Sequence, residues 1–214
     1  MALGLPPGGG DIVPMIKYDA RAGRFSRDNA DITQGFSAVF DLAQVDIGWI
    51  RFASMQAPDF VLVRAGQTPP DRPSKDHKRG VRLMCVLART IGGDVREFSS
   101  AAGCVIDAID DLHSAYAAAP EAAEGKLPIV ALTGSSPVKT QTPTGQTTNY
   151  RPNFTITGWV DRPESLPIVD GPAVQARPAQ AAQPAQPEAA PANHVPPPSP
   201  KQPAGAGAAA GSEF

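Results

Sequence analysis

The chain has 214 residues, a formal net charge of −2, 24 Pro and 20 Gly. That balance argues against a strongly basic protein that coats duplex DNA by charge alone, and it leaves room for a local basic groove. Two Cys, Cys85 and Cys104, lack His or Cys at ligand spacing, so a zinc module is not indicated, and no apolar run is long enough to span a bilayer.

Residues 1–14 read as a flexible leader with no basic n-region, broken by Pro and Gly. Residues 15–28 read as a basic, partly extended arm carrying Lys17, Arg21, Arg24 and Arg27, with Tyr18 and Phe25 interleaved. Residues 32–42 alternate with period two and place Phe36, Ala38, Phe40 and Leu42 on one face. A second strand spans 45–53; Val45, Ile47, Trp49 and Arg51 share its odd face, Ile50 and Phe52 its even face. Residues 60–64 form a short strand or the end of a bent one. A polar loop with three Pro covers 66–78 and ends in the basic cluster Arg72, Lys75, His77, Lys78, Arg79 and Arg82. The next strand, 81–88, faces Val81, Leu83, Cys85 and Leu87 one way.

Gly92-Gly93 makes a turn, and Ser99 or Ser100 is the expected N-cap of a helix running to residue 119. Val105, Ile106, Ile109, Leu112, His113 and Tyr116 form its apolar stripe, and Asp107, Asp110 and Asp111 its wet side. Strands are expected at 127–132 and 150–160, joined by a Gly/Thr/Gln/Pro loop or flexible hairpin at 133–149. By parity, Arg151, Asn153, Thr155, Thr157 and Trp159 share the polar face of the last strand. From residue 171 to 214 the chain is nearly all Ala, Pro, Gln and Gly, and it cannot bury enough apolar area to offset its ordering entropy.

Three strands, a helix and two strands is the order of an OB barrel. The expected fold is therefore mainly β with one helix (α+β). A leader at 1–14 and one OB-like five-stranded barrel at 15–170 precede a disordered tail at 171–214. No nucleophile motif, phosphate-binding loop or carboxylate–metal cluster stands out, so no catalytic residue, cofactor or metal is assigned.

The expected chemistry is base stacking beside phosphate-holding cations, the combination that single-strand binders use. Trp49 and Trp159 would stack bases, with Tyr150 a further aromatic. Arg51, Arg82 and Arg151 would hold phosphates from the barrel face, and Lys75, Lys78 and Arg79 from the loop. Charge runs are usually solvated faces, and Asp71 and Asp76 halve the loop's net charge. At the C-terminus, Phe214 with its α-carboxylate is suited to dock in a basic-rimmed apolar pocket of a partner. Gly-Ser-Glu-Phe is also what two adjacent cloning sites encode.

Three stretches, 17–24 (KYDARAGR), 92–98 (GGDVREF) and 149–154 (NYRPNF), resemble phage-type OB-fold single-stranded DNA-binding proteins. The resemblance implies a barrel that coats single-stranded DNA in phage replication or recombination, in the cytoplasm of a bacterial host. It also implies recruitment of replication or recombination proteins by the tail. Tails in that family are rich in Asp and Glu, whereas this one is nearly neutral. Homo-oligomer formation is left open by the sequence. The alternative is a phage structural or assembly protein that uses the barrel for protein contacts and has no affinity for single strands.

Overall fold

The computed structural model describes residues 13–53, 57–142 and 145–168. The first twelve residues of the leader, and all of the tail from 171 with Phe214, lie outside these. The elements are β1 (Met15–Asp19), β2 (Arg24–Arg27), β3 (Ala30–Asp31), β4 (Ser37–Phe40), β5 (Asp46–Arg51), β6 (Asp59–Arg64), β7 (Lys78–Leu87), β8 (Val95–Ser100), α1 (Gly103–Ala117), α2 (Pro120–Ala123), β9 (Leu127–Thr142) and β10 (Gly145–Val160).

The mainly β character with few helices stands. The five-stranded barrel does not describe the sheet, which has ten strands in the order β10-β9-β4-β7-β8-β1-β2-β3, with β5 and β6 branching from β7, and which does not close. One edge of β7 is shared, β5 pairing along 78–82 and β4 along 85–87, and β8 takes the other edge. The break between β4 and β5 is a 3-10 turn at Leu42–Gln44.

Among the described residues eight strands precede α1, where the sequence reading had three. The arm at 15–28 is the β1–β2 hairpin, and β1 runs parallel to β8. A two-residue turn, Asp28-Asn29, joins β2 to β3 with φ of 49° and 69°. Asp and Asn tolerate that left-handed pair, which matches the twist of a hairpin. The Asp28 carboxylate accepts from both terminal nitrogens of buried Arg96 at 2.8 Å, and Asp94 accepts from Arg96 Nε at 2.6 Å.

Strand β8 replaces the expected start of the helix. Ser99 and Ser100 pair with Arg82 and Val81 in the ladder, and the helix begins after Ala102, which offers no side-chain cap. The apolar stripe is as expected, with Val105, Ile109, Leu112 and Tyr116 buried. Residues 133–142 and 145–149 belong to the β9–β10 ribbon, and the Thr and Ser side chains at 133–141 and 147–148 lie on two mostly wet faces. A one-turn helix, α2, lies between α1 and β9.

The core is aromatic. Phe25 stacks on Phe36 at 4.0 Å, and Phe40, Phe98 and Phe154 surround the pair. Both thiols, Cys85 and Cys104, are buried and free. Burial pushes the Cys85 thiol far above its usual range. Among the described residues no helix is long and apolar enough to cross a membrane.

Phe25→Ala should lower the unfolding free energy by about 3–5 kcal/mol, since Phe25 is fully buried. Phe52→Ala, at a side chain 50% exposed, should cost under about 1 kcal/mol. Urea denaturation of the two variants measures the contrast.

Candidate functional site

Strand parity sorts side chains to two faces of the sheet. On β7, Val81, Leu83, Cys85 and Leu87 enter the core. The opposite face gathers Phe60 from β6, Asp46 and Ile50 from β5, Lys78, Gly80 and Arg82 from β7, Glu97 and Ser99 from β8, and Met15 and Lys17 from β1. Ile50 can lie flat on this outer face because its ladder neighbourhood contains Gly80, where a Cβ would come within 2.3 Å of Ile50 Cδ1.

One end of the outer face is ionic. Asp46 is buried and accepts from Arg82 Nη2 at 2.8 Å, and Arg64 Nη1 lies 3.1 Å from its other oxygen. Burial raises the Asp46 carboxyl above its usual range, and the two guanidiniums oppose it. A strap formed by residues 161–168 flanks this end, where a cavity of about 460 Å³ is lined by Asp46, Arg64, Arg82 and Glu97 together with Ser165, Leu166 and Pro167. Arg162 grips Asp41 at 2.7 and 2.9 Å and donates to the Leu166 carbonyl, and Leu166 is 2% exposed.

At the other end no strap residue lines the surface. A groove of about 410 Å³ is lined there by Met15, Lys17, Ile50, Phe52, Lys78 and Ser99, and closed by Tyr18, Asp76 and residues 100–102. Phe52 is half exposed and meets Phe60 edge-on at 6.5 Å, and the Arg82 guanidinium lies 5.4 Å from the Phe60 ring centroid. Lys17 and Lys78 are exposed and form no salt bridge among the described residues. Cationic stems beside an exposed aromatic ring can hold an anion and stack a planar group.

The residues expected from sequence are dispersed. Trp49 is on the other face of β5, opposite Arg79, and half buried under the 66–77 loop. Its Nε1 donates to the Pro70 carbonyl at 2.8 Å, and the Arg72 guanidinium covers its ring at 5.6 Å. That loop is pinned in turn by buried His77, whose ring bridges Ser74 Oγ at 2.9 Å and Asp59 at 3.2 Å. Arg51 pairs with Asp59, Arg82 with Asp46, and Arg151 with Asp111 on α1. Lys75, Lys78 and Arg79 are exposed, and only Lys78 lines the groove. Tyr150 uses its backbone to meet the hairpin, its N–H donating to Ala20 and its carbonyl accepting from the Tyr18 hydroxyl.

Trp159 leaves the face that parity assigned to it. Register shifts after Asn153 and Ile156 break the alternation of β10, and Trp159 packs on the core with its ring 6.0 Å from Tyr116. Phe52 and Lys17 are the groove residues the sequence reading did not select. For Lys17 the signal was present, since it alternates with buried Ile16 and Tyr18 on β1; Phe52 lies one residue past β5, on the parity of Ile50.

Among the described residues no group of three His, Cys, Asp or Glu is arranged to hold a metal. Compared with known proteins, the chain matches no family model, no curated protein and no solved structure.

Glu97 separates the two ends. Burial raises its carboxyl above the usual range, Arg82 opposes this, and Oε1 is buried without a hydrogen-bond partner. The folded protein therefore keeps this proton to higher pH than the unfolded chain, so the group's contribution to stability falls as pH rises through its folded pKa. Glu97→Gln should raise Tm at about pH 7, and the gain should shrink toward about pH 4, as thermal melts at the two pH values would show.

Proposed function

We propose that this protein binds single-stranded DNA, without catalysis and largely independently of sequence, along the open end of its outer face. The observation that carries the reading is the groove itself. Phe52 offers an exposed ring, Lys17 and Lys78 offer cations without an ion pair among the described residues, and no residue of the 161–168 strap lines the groove. Stacking and phosphate neutralisation are the two interactions that sequence-tolerant single-strand binding requires.

Connectivity supports the same reading. Treating β4 and β5 as one broken strand, the pairs β4/β5–β7, β7–β8, β4–β9 and β9–β10, with α1 between β8 and β9, follow the ladder of an OB fold. The β1–β2 hairpin takes the place where an OB barrel would close, pairing with β8 and touching Tyr150 of β10. OB folds bind oligonucleotides on the face of their second and third strands, here β7 and β8. The biological setting we propose is phage DNA replication or recombination, with the tail available to replication or recombination proteins.

Fluorescence anisotropy of labelled oligo-dT tests this. The protein should bind tightly and salt-sensitively, and Phe52→Ala should weaken binding about tenfold. Replacing Lys17 and Lys78 together with Ala should lower the salt slope by about 1.4. Trp159→Ala should bind within about twofold of the parent if the fold holds, because stacking is lost only where a base rests on the ring. Binding unaffected by the Phe52 and Lys variants, or no binding at all, would overturn the proposal.

A further inference from the structure

A strand at the margin of a sheet exposes a row of backbone groups, and folded proteins blunt such edges with shortness, Pro, Lys or bulges. Strand β3 has only two residues. On β10 the Tyr150 N–H is taken by the Ala20 carbonyl, Pro152 offers no N–H, and two register shifts interrupt the ladder. On β9 beyond residue 132, Pro137 and Lys139 stand in the ribbon. Strand β6 has none of these devices. It pairs only with β5, its register runs unbroken from Asp59 to Arg64, and its sequence, DFVLVR, holds no Pro, Gly or Lys. Phe60, Val61 and Val63 are each half-buried.

One bond just past the strand fixes which backbone groups face outward. Ala65 N–H donates to the Val45 carbonyl, so the odd residues Val61 and Val63 bond to β5 and the even residues turn their N–H and C=O groups away from it. At Phe60 and Leu62 no backbone group meets those donors and acceptors among the described residues. The Arg64 carbonyl receives the Gln67 N–H, which turns the chain and ends the edge.

The geometry points to a two-fold dimer in which β6 pairs antiparallel with β6 of a second copy, Leu62 opposite Leu62. An antiparallel ladder forms only where outward-facing residues lie opposite outward-facing residues. The register centred on Leu62 meets that condition over the whole strand, and it sets Phe60 opposite Arg64 and Val61 opposite Val63. Valine then meets valine and each guanidinium meets a ring. The two Asp59 carboxylates lie at opposite ends of the seam, about 20 Å apart, so no like charges face each other. This self-complementarity selects a second copy as the occupant. A two-fold contact uses the same patch on both partners and closes at two. Opposed residues share a face, so the two outer faces join into one surface that carries both grooves. The inference goes beyond the single-strand reading and does not depend on it.

The test is sedimentation velocity of the full chain. A seam of six residues is small, so the monomer should dominate near about 1 µM and a species of twice its mass by about 200 µM. Amide hydrogen exchange over the same range should slow about tenfold at Phe60 and Leu62, while Val61 and Val63, bonded to β5, should not change. Two double variants read the register. Val61→Lys with Val63→Lys sets like charges opposite each other and should stay monomeric. Val61→Glu with Val63→Lys sets Glu opposite Lys and should dimerise as the parent does. A merely structural role for these valines would move both variants alike, and that result would overturn the proposed register. Should either variant fail to fold, exchange at Leu62 in the parent decides. A parent that stays monomeric with Leu62 exchange unchanged would overturn the dimer and leave the edge to a strand of another protein. Species that grow past two copies would overturn the two-fold.

Discussion

Phe25 stacks on Phe36 inside the sheet, and Phe40, Phe98 and Phe154 close around them. That contact pulls the β1–β2 hairpin against β4 and β8, because Phe25 is on β2 and Phe98 on β8. Once Ile16, Tyr18 and Phe25 are committed to the interior, period two sends Lys17 outward. The same logic on β8 turns Phe98 inward and Ser99 outward. The groove is thus a consequence of the core, assembled from residues that alternate with buried aromatics on neighbouring strands.

The two ends of the outer face are electrically distinct. At one end each guanidinium has a carboxylate: Arg82 and Arg64 at Asp46, Arg162 at Asp41. These pairs are spent on structure, since breaking a buried pair leaves an uncompensated charge. At the other end Lys17 and Lys78 have no such partners among the described residues, and an exposed ring lines the same groove. A net charge of −2 therefore coexists with a groove whose lining sets Lys17 and Lys78 against Asp76.

Legibility in the sequence followed burial. Strands β5 and β7 and helix α1 bury one face each, so their apolar residues keep a clean period and the sequence located them. The β9–β10 ribbon is wet on both faces beyond residue 133, which erases the period-two signal and makes it read as a loop. Strand β8 was hidden by Ser99 and Ser100, which have the chemistry of a helix cap, and by Arg96, whose charge is buried against Asp28 and Asp94. The site was harder still. Arg82 and Arg151 look free in sequence because their acids lie 36 and 40 residues away. Trp159 changes face at register shifts that no single-sequence pattern marks. Phe52 was placed on the even face of its strand with Ile50, yet it lies just past the end of β5 and is half exposed.

The most direct test is photo-crosslinking of a bromodeoxyuridine-substituted oligo-dT to the full chain, with the adduct located by peptide mass spectrometry. The account predicts adducts at Phe52 and on the neighbouring outer-face residues of β1 and β7. Adducts confined to Trp159 and the α1 side of β10, or to the β9–β10 ribbon, would contradict it.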